Sequence, residues 1–233
     1  MSGKIERLLR SRADRTRVPI LQSFFKTGPG QYAEGDVFIG VTVPDLRRTC
    51  RECGDASDEE VERLLHSRVH EDRLLALLLM VQAFNRADDR GRKAIYQRYL
   101  ANTAFINNWD LVDSSAAAIV GGWLAGRSRR ELARLARSKS LWERRIAIVA
   151  THHFIRSGEV AETFRIADLL MRDDHDLIHK AVGWMLREAG KRQPEALVGF
   201  LASRYGTMPR TMLRYAIERF PERQRRAYLR GTI

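Results

Sequence analysis

Apolar residues recur every three to four positions along almost the whole chain, and almost nowhere do they alternate with polar ones. That period puts them on one face of a helix, and it excludes a sheet, which needs a period of two. Ile5, Leu8 and Leu9 begin the pattern, and Ile20, Leu21, Phe24 and Phe25 continue it to the turn Gly28-Pro29-Gly30. Residues 31–42 (QYAEGDVFIGVT) read as a loop and hold the only strand-like composition. Pro44 then opens the next helix, as proline does in a first turn.

From there the punctuation is regular. Helices are expected over 44–53, 58–67, 69–86, 89–101, 108–122, 129–138, 141–156, 159–171, 175–190, 194–204, 208–219 and 221–230. Short breaks at Gly54-Asp55, Gly121-Gly122, Gly126, Gly158, Gly190 and Gly206 separate them. Each pair spans about 35–45 residues, the period of HEAT- or armadillo-like repeats. The expectation is an all-α fold: a curved solenoid of HEAT-like antiparallel helix pairs, one domain over 1–233, with a concave basic groove.

The chain has 233 residues, enough for one substantial core. No apolar run approaches the roughly 18–20 residues of a membrane span. Met1–Arg17 is charged, with no apolar stretch after it and with Glu6 and Asp14 inside it. This reads as neither secretory signal nor transit peptide, so a cytoplasmic protein is expected. The net charge of +12 points to a polyanion partner. From Leu201 onward eight Arg face two Glu, so half of the surplus lies at that end. Only six of the 41 basic residues are Lys. A GC-rich genome would explain Arg over Lys, but not the excess of cations. Arginine forks match phosphate oxygens.

Cys50, Cys53, His66 and His70 have the C-x2-C-x12-H-x3-H spacing of a zinc finger. Ser57 and Arg63 stand where a finger needs an aromatic and a leucine, and no hairpin precedes Cys50. Residues 58–65 read instead as a capped helix with acids first. No metal and no cofactor is expected.

The stretch Asn107-Asn108-Trp109-Asp110-Leu111-Val112-Asp113-Ser114-Ser115 reads as a helix start, with Asn107 or Asn108 as cap. Trp109 and Asp113, four apart, share a face, whereas Asp110 is off it and is expected to matter less. A carboxylate beside an indole can meet a cation; it can equally be an ordinary ion pair beside a packed Trp. Arg145 follows Asp113 by 32 residues and Trp184 follows Arg145 by 39, roughly one repeat each. Of Arg144 and Arg145, one is expected to face inward. Trp123 and Trp142 are flanked by aliphatics, and core packing is expected for both.

Four stretches together carry a family resemblance: FIGVTVP (38–44) followed by Arg47-Arg48, WDLVDS (109–114), WERRIAI (142–148) and KAVGWMLRE (180–188). In this order the chain resembles the AlkD-like DNA alkylation-repair glycosylases, which are built from HEAT-like repeats. The resemblance implies Asp113 as the catalytic acid, Trp109 and Trp184 flanking the lesion, and Arg145 anchoring the DNA backbone. Tyr32 and Thr42 fall near positions that touch DNA in the family. Arg144, Lys180, Arg187, Arg210 and Arg214 are further candidate DNA contacts on the groove-lining helices. Where active relatives can carry a second aromatic before the motif's Trp, this chain has Asn108.

The implied substrate is double-stranded DNA bearing N3- or N7-alkylated purines, acted on by a monomer. Such a base is already cationic and leaves neutral, so no general acid is needed. A lyase would need an amine; Lys180 is the nearest lysine, and a monofunctional glycosylase is therefore expected. Two rival readings use the same fold. A non-catalytic DNA- or RNA-binding scaffold would leave Asp113 structural, and a protein-binding adaptor would make the arginines genome bias.

Overall fold

The computed structural model describes residues 3–233; of the N-terminal stretch read above, Met1 and Ser2 lie outside them. The fold is all-α, 67% helical. Among the described residues no strand forms, and the strand-like loop supplies only an isolated parallel bridge between Val37 and Val69. The chain packs as two compact units, Met1–Ser115 and Ala116–Ile233.

The first unit holds α1 (Lys4–Arg10), α2 (Val18–Gln22), α3 (Val43–Glu52), α4 (Asp58–Leu65), α5 (His70–Arg86), α6 (Asp89–Ala101) and α7 (Trp109–Ala116), whose last residue opens the second unit. Local chemistry starts these helices where the sequence says. Thr42 Oγ1 accepts from the Asp45 amide at the head of α3, with Pro44 in its first turn. Ser57 and Glu60 exchange hydrogen bonds at the head of α4. The central helix is α5, against which α3, α4 and α6 pack. Leu74, Leu75, Ala76, Leu77, Leu79 and Met80 bury there, each large side chain contributing about 1.5–3 kcal/mol of burial.

The second unit continues with a π turn, Ala117–Gly121, then α8 (Gly122–Leu124), α9 (Arg130–Ala136), α10 (Leu141–Ala150), α11 (His152–Arg156), α12 (Ala161–Leu169), α13 (Asp176–Arg192), α14 (Pro194–Ala202), α15 (Arg210–Ala216) and α16 (Glu222–Arg230). In this unit α9 packs on α10 and α12, α10 on α13, and α13 on α14 and α15. The expected helix over 141–156 is divided at Thr151. Its buried hydroxyl donates to the Ile148 carbonyl, a back-bond that competes with the helical ladder. The expected helix over 108–122 loosens into the π turn after Ala116.

Candidate functional site

The start of α7 is held by side chains from two other segments, the loop around Asp36 and α5. Asn108, fully buried, accepts from the Trp109 amide and donates its Nδ2 to Asp36 at 3.1 Å. Asp110 accepts from His70 Nε2 at 2.7 Å through one oxygen and from the Leu111 amide through the other. The other ring nitrogen of His70 lies 3.1 Å from Asp36, whose second oxygen accepts from Arg73 at 2.6 Å. Asp110, expected to matter less than Asp113, is a tether of this helix, because a position off Trp109's face points it back at α5.

Two carboxylates facing one imidazole decide its charge. Burial disfavours the cation, but the hydrogen bonds and charges of Asp110 and Asp36 outweigh it and raise the His70 pKa to about 9. Burial likewise works against the Asp36 carboxylate, yet His70 and Arg73 hold it below its ordinary value. The three consecutive residues after His70 are buried as well. The Glu71 carboxylate accepts from the amides of Ile39 at 3.0 Å and Gly40 at 2.9 Å, fixing the loop ahead of α3. Gly40 has φ +83° and its Cα faces the Asp14 backbone, so no other residue fits there. Asp72 takes a two-pronged bond from Arg10 of α1, both at 2.6 Å.

Aromatic rings cover this polar cluster. Phe38 stacks on His70 at 4.8 Å, and Phe25 lies 4.8 Å from His70, 5.1 Å from Phe38 and 5.3 Å from Trp109. Trp109 is half-buried on that floor, and Asp113, one turn further on, is half-buried too. Behind them the buried Tyr99 hydroxyl meets Ser115 at 2.9 Å. Burial pushes the Tyr99 phenol up, and the charge of Asp113 pushes it the same way.

In the second unit Arg145 is the inward-facing member of its pair, 5% exposed, with Nη1 donating to the Leu177 carbonyl at 2.6 Å. Arg144 binds Asp173 and the carbonyls of Ser138 and Lys139. Trp184 is half-buried on α13, its ring 5.9 Å from that of His152, whose pKa burial lowers. The weaker candidates are placed variously. Lys180 pairs with Asp176, and Arg187 with Glu218 and Glu188. Arg210 donates to the Leu229 carbonyl, and Arg214 is exposed. In the first unit Thr42 is spent partly as a helix cap, and Tyr32 is half-buried. Trp123 and Trp142, expected in the core, are half-buried like Trp109 and Trp184; the guanidinium of Arg127 covers the Trp123 ring at 3.9 Å.

The zinc-finger spacing does not bring its four residues to one point. Cys50 faces Gln82, His66 bonds Asn102, and His70 is taken by its two carboxylates. Burial raises both thiols, opposite to what a metal thiolate needs. Among the described residues no three His, Cys, Asp or Glu side chains could hold a metal ion.

Asp36, Phe25, Phe38 and His70 were not among the residues singled out as site components. The available signal was the charged run His70-Glu71-Asp72-Arg73 opening an otherwise apolar helix. Such residues bury only when partners are supplied from elsewhere in the fold.

These features define an all-α protein carrying a tethered Trp–Asp helix start. The sequence pattern of the DNA alkylation repair enzyme family matches residues 5–220, and the chain belongs to that family. Membership brings a role in DNA alkylation repair, and with it DNA as the partner. A solved structure described as a predicted DNA alkylation repair enzyme from Enterococcus faecalis is similar in fold. It has a TM-score of 0.69 at 16% identity, over 91% of this chain and 98% of that one. No curated protein matches the chain.

Proposed function

We propose that the protein is a monofunctional DNA glycosylase that hydrolyses the N-glycosidic bond of cationic N3- or N7-alkylated purines in duplex DNA. The observation that carries this is Asp113, a half-buried carboxylate one helical turn beyond Trp109 in a chain of the DNA alkylation repair family. As the bond breaks, positive charge grows on the deoxyribose. A fixed carboxylate stabilises that charge more in the transition state than in the ground state, which is what accelerates the step. The same group orients a water toward the anomeric carbon. The face of Trp109 attracts the cationic nucleotide by about 1–2 kcal/mol when desolvated.

The test is a duplex with a single N7-methylguanine, scored for abasic sites under single turnover. Wild type is expected to excise N7-methylguanine and N3-methyladenine but not uracil, because nothing here protonates a poor leaving group. Asp113→Asn keeps the shape and removes the charge, and is expected to slow excision by roughly 10²–10³-fold. Excision at the wild-type rate would instead favour a scaffold that binds DNA without chemistry.

A further inference from the structure

We propose that His70 is a positioning residue for the reaction: a buried imidazolium whose two N–H donors lock the first turn of α7, and so Trp109 and Asp113, against the loop 36–42. This rests on the glycosylase reading for its effect on rate, while the clamp itself has a readout that needs no catalysis.

Every element around the ring contributes to the argument. From α7, Asp110 stands 2.7 Å from Nε2, and from the loop, Asp36 stands 3.1 Å from Nδ1. From α5 itself come Arg73, paired with Asp36, and Glu71, whose carboxylate is turned to the loop amides. From the segment after α2 comes the Phe25 ring, and the Phe38 ring lies beside it, each 4.8 Å from His70. Ionised carboxylates only accept, so both ring nitrogens must donate, and only the protonated ring can do that. A Leu or Met in this place would pack without the desolvation that burying a charge costs, so stability alone is weak grounds for a cation here. Direction is what two charge-assisted bonds at a fixed angle supply. They join α5, the loop and the helix that carries Asp113, which lies three residues beyond the tethered Asp110. A displacement of about 1 Å at a reacting group is enough to cost about 10²-fold in rate.

Two variants separate the ring's halves. The Gln amide nitrogen reaches the place of Nε2 and keeps the bond to Asp110, whereas that of Asn reaches the place of Nδ1 and keeps only Asp36. His70→Asn is expected to slow single-turnover excision by about 10- to 100-fold, with DNA affinity within about 3-fold of wild type, since phosphate contacts set affinity. His70→Gln is expected to recover most of the rate. Wild-type rates in both variants, or equal losses irrespective of which nitrogen is replaced, would overturn the proposal. The second readout is the Trp109 emission, obtained as wild type minus Trp109→Phe and titrated with pH. It should change with a midpoint near 9 in wild type and lose that step in His70→Gln. A flat curve overturns the clamp, even if His70→Asn fails to fold. If wild type excises nothing while the emission still titrates, the glycosylase reading falls and the imidazolium clamp stands.

Discussion

Asp110 and Asp113 lie three positions apart on one helix, yet they have different surroundings. Asp110 is 14% exposed at its side chain and carries the tether to His70. Asp113 is half-buried one turn from Trp109. Asp110→Asn should therefore lower the melting temperature and the excision rate together, while Asp113→Asn should cost far more in rate than in stability. Thermal melts run beside single-turnover assays check this; the reverse pattern would exchange the two roles. The His70 clamp also has a pH signature. Its folded pKa of about 9 lies above the ordinary 6.5, so its stabilising contribution is complete below about 6.5. That contribution is lost progressively as the pH rises toward and through 9. Asp36 has the opposite sense: held below its ordinary value, it stabilises above that range and loses its contribution in acid. Between pH 7 and 9.5 wild type should lose several degrees of melting temperature, and His70→Gln distinctly less. Equal slopes in the two proteins would remove His70 as the titrating group.

At the scale of helices, two glycines mark where backbones cross closely. A Cβ at Gly183, beside Trp184, would lie 2.5 Å from both the Met212 carbonyl oxygen and the Tyr215 Cβ on α15. A Cβ at Gly121 would meet the Ala150 carbonyl and come within 2.6 Å of the His153 Cβ. Neither obstacle is the end of a flexible side chain, so the helices must separate. Gly183→Ala is expected to destabilise by about 1–3 kcal/mol and to move Trp184 with its helix. Gly199 is the contrast: exposed inside α14, with nothing within 4 Å of a Cβ. Gly199→Ala should stabilise by about 0.5–1 kcal/mol through the lost freedom of the unfolded chain. Urea denaturation of the two variants measures both signs, and a neutral Gly183→Ala would show that this crossing has slack.

Across the whole molecule, the net charge of +12 sets the salt response of DNA binding. The logarithm of affinity should fall with the logarithm of salt by about 0.9 per phosphate contact. On α16 Arg225 and Arg226 share Glu222, each at 2.8 Å, whereas Arg223 is exposed. Replacing all three by Ala should weaken binding with little sequence dependence. The salt slope should drop by less than three full contacts, because one carboxylate already answers two of these cations. Fluorescence anisotropy against unmodified duplexes at several salt concentrations tests this. Binding indifferent to salt would point to a protein partner in place of DNA.

The helices were legible because their causes are local. Apolar spacing, Pro44 and the breaks at Gly54, Gly126, Gly158 and Gly206 act within one or two turns, and most expected ends fall within a few residues of those found. Gly190, by contrast, lies inside α13, and Gly121-Gly122 inside the helical run that continues to Leu124. So was the candidate Trp109–Asp113 pair, since four residues on a helix already make a face. The division at Thr151 was not legible, because the apolar spacing runs through it unbroken and only the turn of its hydroxyl onto the Ile148 carbonyl marks the place. The clamp under α7 was the least legible part. His70, Asp36 and Asp110 are 34 and 40 residues apart along the chain, and their spacing matches no pattern. Only the tertiary structure brings two carboxylates to one imidazole, removes water from all three, and so determines both the ring's charge and where the first turn of α7 points.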